Sequence, residues 1–327
     1  MSERRPGTRW QRLFERHWKP FRRWYLSEGD AARPSYLECR RQLDAHMPEL
    51  VRTYERLCEL AGGSDVAARA LSLYRPPAYV HGCSQSVWPG ERPFLVRNYD
   101  YSPYLFEGSI LRSAWCGKQV LAMLDCLWGV VDGINEDGLV VSLTFGGRQV
   151  VGDGFGMPLI LRYILEVCET TSQAVQVLRR VPSHMSYNIT LLDASGHFTT
   201  VFVAPDRQAV VRQIPVTTNH QGRVEWERHA RISATLERER FLNQLLADLD
   251  EQPDDFIDAF LQPPLYNTDY DRGFGTLYCA VYWPDKRAAR YRWPGLDWDL
   301  AIDDFEEGTH HVTLAHPPRG WEAAHGY

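Results

Sequence analysis

The spacing of hydrophobic residues changes near Pro77, which divides the chain into a helical first part and a strand-rich second part. Within residues 1–26 the large apolar side chains recur at the spacing of one helix face, at Trp10, Phe14, Trp18 and Phe21. The basic residues between them also suit an acidic partner or a membrane surface. We expect instead that this helix packs its aromatic face on the body of the protein.

Three further helices are predicted before Pro77. Residues 35–62 form two helical pieces, with Pro48 in the first turn of the second piece and two glycines at its end. Residues 64–74 predict a third, shorter helix.

After Pro77, short runs rich in β-branched and aromatic residues are bounded by turn residues, which is typical of strands and hairpins. Strands are predicted at 93–100, 108–115, 118–134, 139–145, 187–193, 197–205, 208–213, 214–219, 275–284, 288–293 and 309–315. Helices are predicted at 157–180, with Thr171 or Ser172 as a cap, at 228–247, and briefly after the acidic loop near Asp254. This order predicts an α+β fold of sheet layers covered by helical layers, rather than a doubly wound βαβ fold.

Composition excludes several classes of protein. The 327 residues are 44% hydrophobic, an ordinary globular share, and their net charge of −6 argues against a nucleic-acid binder. The chain shows no apolar run long enough for a membrane span and no apolar signal segment, so we predict a cytoplasmic protein. Its seven cysteines lack the paired spacing of a disulfide framework or a zinc site, and we expect neither a metal nor another cofactor.

One cysteine stands apart from the others. In HGCSQSVW, residues 81–88, Cys83 directly follows a glycine at the head of the predicted strands. A lone cysteine is more often a small buried hydrophobe than a nucleophile. However, Arg97 and Asp100 end the next apolar strand, and an arginine near a thiol lowers the thiol pKa. A structural ion pair between Arg97 and Asp100 explains the two charges equally well.

These residues also carry a resemblance to a family. GCS at 82–84 with RNYD at 97–100 resembles the choloylglycine-hydrolase and acyl-coenzyme A:6-aminopenicillanic-acid acyltransferase group of N-terminal-nucleophile hydrolases. The motifs that follow in order are GINEDGL (133–139), VSLTFGG (141–147), TTNH (217–220) and RGFGTLYCAVY (272–282). The resemblance runs from about Pro48 to Asp285 and is nearest to the acyltransferase-like branch, which is also classed as a peptidase family.

The resemblance implies a four-layer αββα sandwich at residues 83–327, preceded by a helical pro-segment at residues 1–82. It also implies a zymogen that cleaves itself between Gly82 and Cys83. Cys83 matches the family nucleophile, Arg97 and Asp100 match the charged pair beside it, and Asn219 matches the asparagine that supports the oxyanion.

Other positions match less closely. Arg272 falls near the place of an arginine beside the last core strands, and His81 flanks the cleavage site. Thr144 stands where bile-salt hydrolases tend to carry a site asparagine, which argues against a bile-salt substrate. A further group of residues suggests an apolar substrate wall, although packing in the core explains them equally well: Tyr99, Tyr101, Tyr104, Phe106, Trp115 and Trp128.

The chemistry is coherent on physical grounds. Cleavage before Cys83 would create an α-amine with a reference pKa of about 7.7–8.0, which is suited to act as the base for the thiol. Asp100 would hold the ammonium form, and the amide of Asn219 would donate to the oxyanion. We therefore predict an enzyme that cleaves or transfers the acyl group of a linear amide through a thioester on Cys83.

Two alternatives stay open. Cys83 with His220 or His81 would make a conventional thiol hydrolase that is active without chain cleavage. A silent fold would bind a small acyl ligand, or an acidic partner through residues 1–26. The expected partner is a small amide or acyl donor, and cleaved chains are expected to stay associated. The sequence does not distinguish a monomer from a homo-oligomer.

Overall fold

The computed structural model describes residues 1–80, 82–248, 250–270 and 274–314. The helices in this part of the chain are α1 Thr8–Tyr25, α2 Tyr36–His46, α3 Val51–Leu60, α4 Asp65–Leu71, α5 Met157–Val167, α6 Thr171–Arg180, α7 Glu227–Ile232, α8 Thr235–Ala247 and α9 Pro253–Ala259. The strands are β1 Ser2–Glu3, β2 Gly82–Trp88, β3 Phe94–Tyr101, β4 Ile110–Ser113, β5 Val120–Asp125, β6 Gly129–Asn135, β7 Val140–Phe145, β8 Tyr187–Leu192, β9 Phe198–Ala204, β10 Arg207–Arg212, β11 Val216–Thr217, β12 Gly275–Trp283, β13 Ala288–Trp293 and β14 Leu296–Ala301.

The strands form two sheets. The order in the eight-stranded sheet is β1-β4-β5-β6-β7-β8-β9-β10, and the order in the six-stranded sheet is β11-β2-β3-β12-β13-β14. All neighbours are antiparallel except β1 and β4. Strand β2 packs face to face on β7, so the two sheets enclose a common core.

Helices cover both outer faces. Helices α5 and α6 pack on the eight-stranded sheet, whereas α8 contacts β2 and β11 of the six-stranded sheet. A separate apolar cluster, which includes Phe94, Val96, Leu242 and Phe256, fills the space beneath α8 and α9. The predicted four-layer αββα arrangement is therefore confirmed.

The first helix packs on the body of the protein, as expected from its aromatic spacing. Trp10 is fully buried, and its indole nitrogen donates to the carbonyl oxygen of Leu127 at 2.9 Å. Phe14 stacks on Trp10, with ring centroids 5.4 Å apart. Residues from α1 to α4 share one continuous hydrophobic core with the sheets. Residues 1–80 are therefore integrated into the fold as well as helical.

Four local predictions were wrong. The predicted strand 118–134 is two strands, β5 and β6, because Cys126 and Leu127 between them adopt left-handed backbone conformations, with φ of 56° and 72°. The predicted helix 228–247 is two helices, because Ala234 adopts a left-handed backbone with φ of 47°. The cap of α6 is Thr170, whose side chain accepts from the Gln173 amide, rather than Thr171 or Ser172. Of the predicted strand 309–315, residues 309–314 are not a strand, and residue 315 lies outside the described residues.

Strand β14 was missed in the sequence. Its segment LDWDLA alternates apolar and acidic residues at the edge of the six-stranded sheet, where one face meets solvent. No helix in the described part of the chain is long and apolar enough to cross a membrane.

Trp10→Ala tests how far the first helix supports the fold. We expect a loss of about 3–5 kcal/mol in the free energy of unfolding, because a large buried side chain and its hydrogen bond are removed. Chemical denaturation followed by circular dichroism measures this loss. The control is Leu37→Ala, which truncates a side chain that is 77% exposed and should change stability little. Equal effects of the two variants would contradict the integration of residues 1–80.

Candidate active site

Cys83 lies near the start of β2 and is fully buried. Strand β2 pairs with β3 along its whole length, and Cys83 stands opposite Tyr99. Because residues two apart on a strand share a face, Arg97 lies on the same side of β3 as Tyr99. This face of the hairpin points at the eight-stranded sheet, so the thiol lies between the sheets.

The guanidinium of Arg97 is the nearest charge to the thiol. Its Nη2 donates to Cys83 Sγ at 3.0 Å and to the Leu143 carbonyl at 3.0 Å. Its Nη1 donates to Asp132 Oδ2 at 2.5 Å and to the Tyr278 hydroxyl at 3.0 Å. Arg97 therefore joins the nucleophile candidate to both sheets.

Asp132 is a site residue that the sequence analysis missed. Its carboxylate also accepts hydrogen bonds from the hydroxyls of Tyr278 and Tyr282, and both Asp132 and Arg97 are fully buried. A lone carboxylate inside the apolar strand GVVDGIN was the available signal, because such a residue is rarely buried without a partner.

The other face of the hairpin carries a second buried ion pair. Asp100 Oδ2 accepts from Nη1 of Arg238 at 3.1 Å, and Asp100 Oδ1 accepts from the Thr276 hydroxyl at 2.7 Å. Arg97 and Asp100 are three residues apart on one strand, so their side chains point to opposite faces. The ion pair between them that the sequence analysis considered is replaced by two pairs, Arg97 with Asp132 and Asp100 with Arg238.

Arg238 was also missed, and it connects two of the predicted residues, Asp100 and Asn219. From the inner face of α8 it donates to the Ser84 hydroxyl at 2.8 Å and to Asn219 Oδ1 at 2.6 Å, as well as to Asp100. The surrounding sequence TLERERF is rich in charge, so the residues alone do not show which arginine points inward.

Asn219 holds the backbone of Cys83. Its Oδ1 accepts the Cys83 N–H at 3.1 Å, which is the nitrogen that would become the α-amine after cleavage. Its Nδ2 donates to the Phe145 carbonyl at 3.2 Å. In the intact chain, Asn219 therefore positions the nitrogen of Cys83, and its N–H donor is engaged with the backbone.

Thr144 supports Asn219 indirectly. Its hydroxyl donates to the Thr218 carbonyl at 2.7 Å and accepts from Asn188 Nδ2 at 3.0 Å. Asn188 also donates to the carbonyls of Thr218 and His220. These contacts fix the segment that carries Asn219 on strands β7 and β8.

The remaining candidates are distributed differently. His220 is buried, with Nδ1 3.1 Å from the Thr235 hydroxyl and Nε2 3.3 Å from Glu239. His81 and Arg272 lie outside the described residues. Of the aromatic residues considered for an apolar wall, Trp115 and Trp128 follow the core-packing alternative, because their indoles donate to the carbonyls of Glu3 and Leu71.

Burial raises the pKa of the Cys83 thiol to about 12, although Arg97 and Arg238 oppose the shift. Burial also raises the pKa of Asp100, against the effects of Arg238 and Thr276. At neutral pH the thiol of the intact chain is therefore protonated and needs a base. In the part of the chain that the structure describes, no three His, Cys, Asp or Glu side chains form a potential metal site.

Comparison with known proteins agrees with the motifs. The family model "Acyl-coenzyme A:6-aminopenicillanic acid acyl-transferase" matches residues 87–298, about two thirds of the chain and beginning just after Cys83. The resemblance deduced from the motifs is thereby confirmed. No curated protein matches the sequence.

Several solved structures are similar to this one. Penicillin V acylase from Agrobacterium tumefaciens is 16% identical, with 68% of this chain and 86% of that chain covered and a TM-score of 0.43. An N-acylethanolamine-hydrolyzing acid amidase ortholog from Caenorhabditis elegans is 15% identical, with coverages of 63% and 93% and a TM-score of 0.46. A mutant conjugated bile acid hydrolase from Clostridium perfringens is 12% identical, with coverages of 71% and 97% and a TM-score of 0.41.

A double-mutant cycle on Asp100 and Arg238 tests the second ion pair. Arg238→Met should lower the free energy of unfolding by about 3–5 kcal/mol, because it leaves the buried carboxylate of Asp100 without its partner. Asp100→Asn removes that charge. The double variant should therefore lose less free energy of unfolding than the sum of the losses in the two single variants, by about 1–3 kcal/mol. Urea denaturation of the four proteins measures the coupling.

The control pair is Arg290 and Asp299, which is also in hydrogen-bond contact, at 2.6 Å, but is solvent-exposed. Arg290→Met should change stability by less than about 1 kcal/mol. Additive effects at Asp100 and Arg238 would show that the two buried charges do not depend on each other.

Proposed function

The chain belongs to the acyl-coenzyme A:6-aminopenicillanic acid acyltransferase family and is an amide hydrolase or N-acyltransferase; we propose that Cys83 is its nucleophile. The proposed substrate is a linear amide whose acyl group passes to Cys83 as a thioester and then to water or an amine. Activation requires cleavage of the bond between Gly82 and Cys83.

One observation carries the proposal: the thiol and the backbone nitrogen of Cys83 each have their own polar partner. Arg97 contacts the thiol on one side of the β2–β3 hairpin, and Asn219 accepts from the backbone nitrogen. If Cys83 were only a small buried hydrophobe, it would need neither a buried guanidinium beside its thiol nor a side-chain acceptor for its N–H.

Self-cleavage uses these contacts first. The Cys83 thiol attacks the Gly82 carbonyl carbon, the carbon–nitrogen bond breaks, and the thiol proton ends on the departing Cys83 nitrogen. Water then hydrolyses the thioester, which yields a carboxylate on Gly82 and restores the thiol. Gly82 suits this position because a Cβ there would lie 2.3 Å from the ring of Phe274 and 3.3 Å from Asp100 Cβ.

The released α-amine then supplies the base. It takes the thiol proton, and Arg97 stabilises the thiolate from 3.0 Å. The thiolate attacks the substrate carbonyl, and the proton passes to the leaving amine as the thioester forms. Asn219 Oδ1 orients the α-amine. Asn219 Nδ2 gives up its hydrogen bond to the Phe145 carbonyl and donates instead to the developing oxyanion.

The contacts in the structure give less support to the two alternatives, a conventional Cys/His thiol hydrolase and a silent binding fold. The ring nitrogens of His220 face Thr235 and Glu239, so this histidine is not directed at the thiol. In residues 1–26, Trp10 and Phe14 are buried against the protein, so this part of the aromatic face is not free to bind an acidic partner. These observations favour the α-amine of Cys83 as the base.

Intact mass spectrometry tests the nucleophile. Wild-type protein should separate into residues 1–82 and 83–327, whereas Cys83→Ala should stay as one chain. The control is Cys279→Ala, which removes another fully buried thiol of the six-stranded sheet and should cleave normally. Cleaved protein mixed with N-acyl amides and quenched in acid should carry the acyl mass on residues 83–327. A wild-type chain that stays whole and yet hydrolyses amides would refute the α-amine mechanism.

Gly82→Ala tests the close packing at the cleavage site. The added methyl group must displace Phe274, so we expect cleavage to slow about tenfold or more, equivalent to at least about 1.4 kcal/mol in the barrier. Time courses of intact mass after dilution from denaturant measure the rate. Gly156→Ala is the matched control, because a Cβ there meets its nearest neighbour at 3.6 Å. Unchanged cleavage in Gly82→Ala would mean that the site tolerates a side chain.

A further inference from the structure

A cavity of about 580 Å³, part of it open to solvent, lies beside the buried Tyr99. Helix α1 contributes Phe21 and Trp24 to its wall, the segment before β2 contributes Tyr79, and the end of β3 and the following loop contribute Tyr101 and Tyr104. Two carboxyl groups, those of Glu107 and Asp125, also line it. The cavity therefore combines an aromatic wall with acidic groups.

Among the residues that the structure describes, neither of the two carboxyl groups has a cationic hydrogen-bond partner. Glu107 Oε1 accepts the Leu127 N–H at 2.8 Å, but its Oε2 is buried without a hydrogen bond. Asp125 accepts from the Cys126 N–H at 2.7 Å and from the Tyr99 hydroxyl at 3.0 Å. Among the described residues, neither side chain forms an ion pair, in contrast to the buried Asp100 and Asp132.

This arrangement disfavours the charged form of both carboxyl groups. Burial, with the neighbouring Asp125, raises the pKa of Glu107 to about 8, and burial also raises the pKa of Asp125. A bound cation would reverse both effects, because an opposite charge favours the ionised carboxylate. The aromatic faces would add cation–π attraction, whereas a carboxylate or phosphate ligand would be repelled.

We propose that this cavity binds an aliphatic ammonium group, so that the substrate of Cys83 is a linear amide that also carries a free amine. The carboxylates of Glu107 and Asp125 hold the ammonium, and the rings of Trp24 and Tyr101 enclose its alkyl chain. This assignment rests on the proposed function, because it makes the cavity part of the site of Cys83.

Tyr99 connects the cavity to the nucleophile. Its backbone stands opposite Cys83 in the β2–β3 hairpin, and its hydroxyl donates to Asp125. Phe21, Trp24 and Tyr79 belong to residues 1–82, so after cleavage both chains would form the cavity. The segment before Cys83 would then contribute to substrate selection as well as to folding.

Ligand titration of the full-length, uncleaved Cys83→Ala protein tests the inference without requiring catalysis. Butylammonium chloride and 1-butanol have nearly the same shape, and their binding is followed by isothermal titration calorimetry at pH 8.5 and low salt. We expect butylammonium to bind at least about tenfold more tightly than butanol. Glu107→Gln should remove most of that preference. The control is Glu91→Gln, at an exposed position of the β2–β3 turn, which should leave both affinities unchanged.

Equal binding of the two probes, or an equal loss in Glu91→Gln and Glu107→Gln, would overturn the ammonium site. If Glu107→Gln does not fold, the comparison of the two probes on the Cys83→Ala protein still decides the question. The result is separable from the proposed function. Butylammonium binding with no self-cleavage of wild type would reject the Cys83 mechanism alone, and normal self-cleavage without binding would reject the cavity assignment alone.

Discussion

The buried guanidinium of Arg97 is the interaction on which the candidate site depends. It reaches from β3 across the interior to Asp132 on β6 and to the Leu143 carbonyl on β7, and it contacts the thiol of Cys83 on the way. A charge held between two sheets is destabilising unless its partners are placed accurately. The hydroxyls of Tyr278 and Tyr282 both donate to Asp132 and so hold this partner of Arg97 in place. The same network therefore holds the sheets in register and sets the distance from the guanidinium to the thiol.

The two faces of the β2–β3 hairpin carry different buried charges. The thiol of Cys83 points toward Arg97 in the sheet interface, whereas Asp100 points toward α8 on the helical side. There Arg238 on α8 links Asp100 to Asn219, which accepts from the Cys83 backbone N–H and donates to the Phe145 carbonyl of β7. Two buried arginines with one aspartate each keep the local charge balanced on each face. This division explains why Arg97 and Asp100, although close in sequence, have different partners.

The sequence predicted the helical and sheet layers well, because the spacing of apolar residues along a helix or strand is a local property. It also singled out Cys83, Arg97, Asp100 and Asn219 through short motifs, and the structure brings these four residues into one hydrogen-bonded network. It did not identify Asp132 or Arg238 because their roles arise from contacts across 35 and 138 residues of chain. Arg238 is also flanked by surface charges in α8, so only the packed helix distinguishes it. The spacing of apolar residues also did not predict the left-handed backbone of Ala234, which divides one predicted helix into two.

The proposed cleavage before Cys83 would change one bond, whereas the contacts of residues 1–80 with the rest of the chain are many. Trp10 donates to Leu127, Tyr163 donates to Glu49, and the apolar side chains of α1 to α4 lie in the common core. The burial that stabilises these contacts does not depend on the bond between Gly82 and Cys83. We therefore expect activation to be a local chemical change that converts an amide nitrogen into a base. Under this proposal the segment before Cys83 would not need to leave, since it itself forms part of the cavity wall.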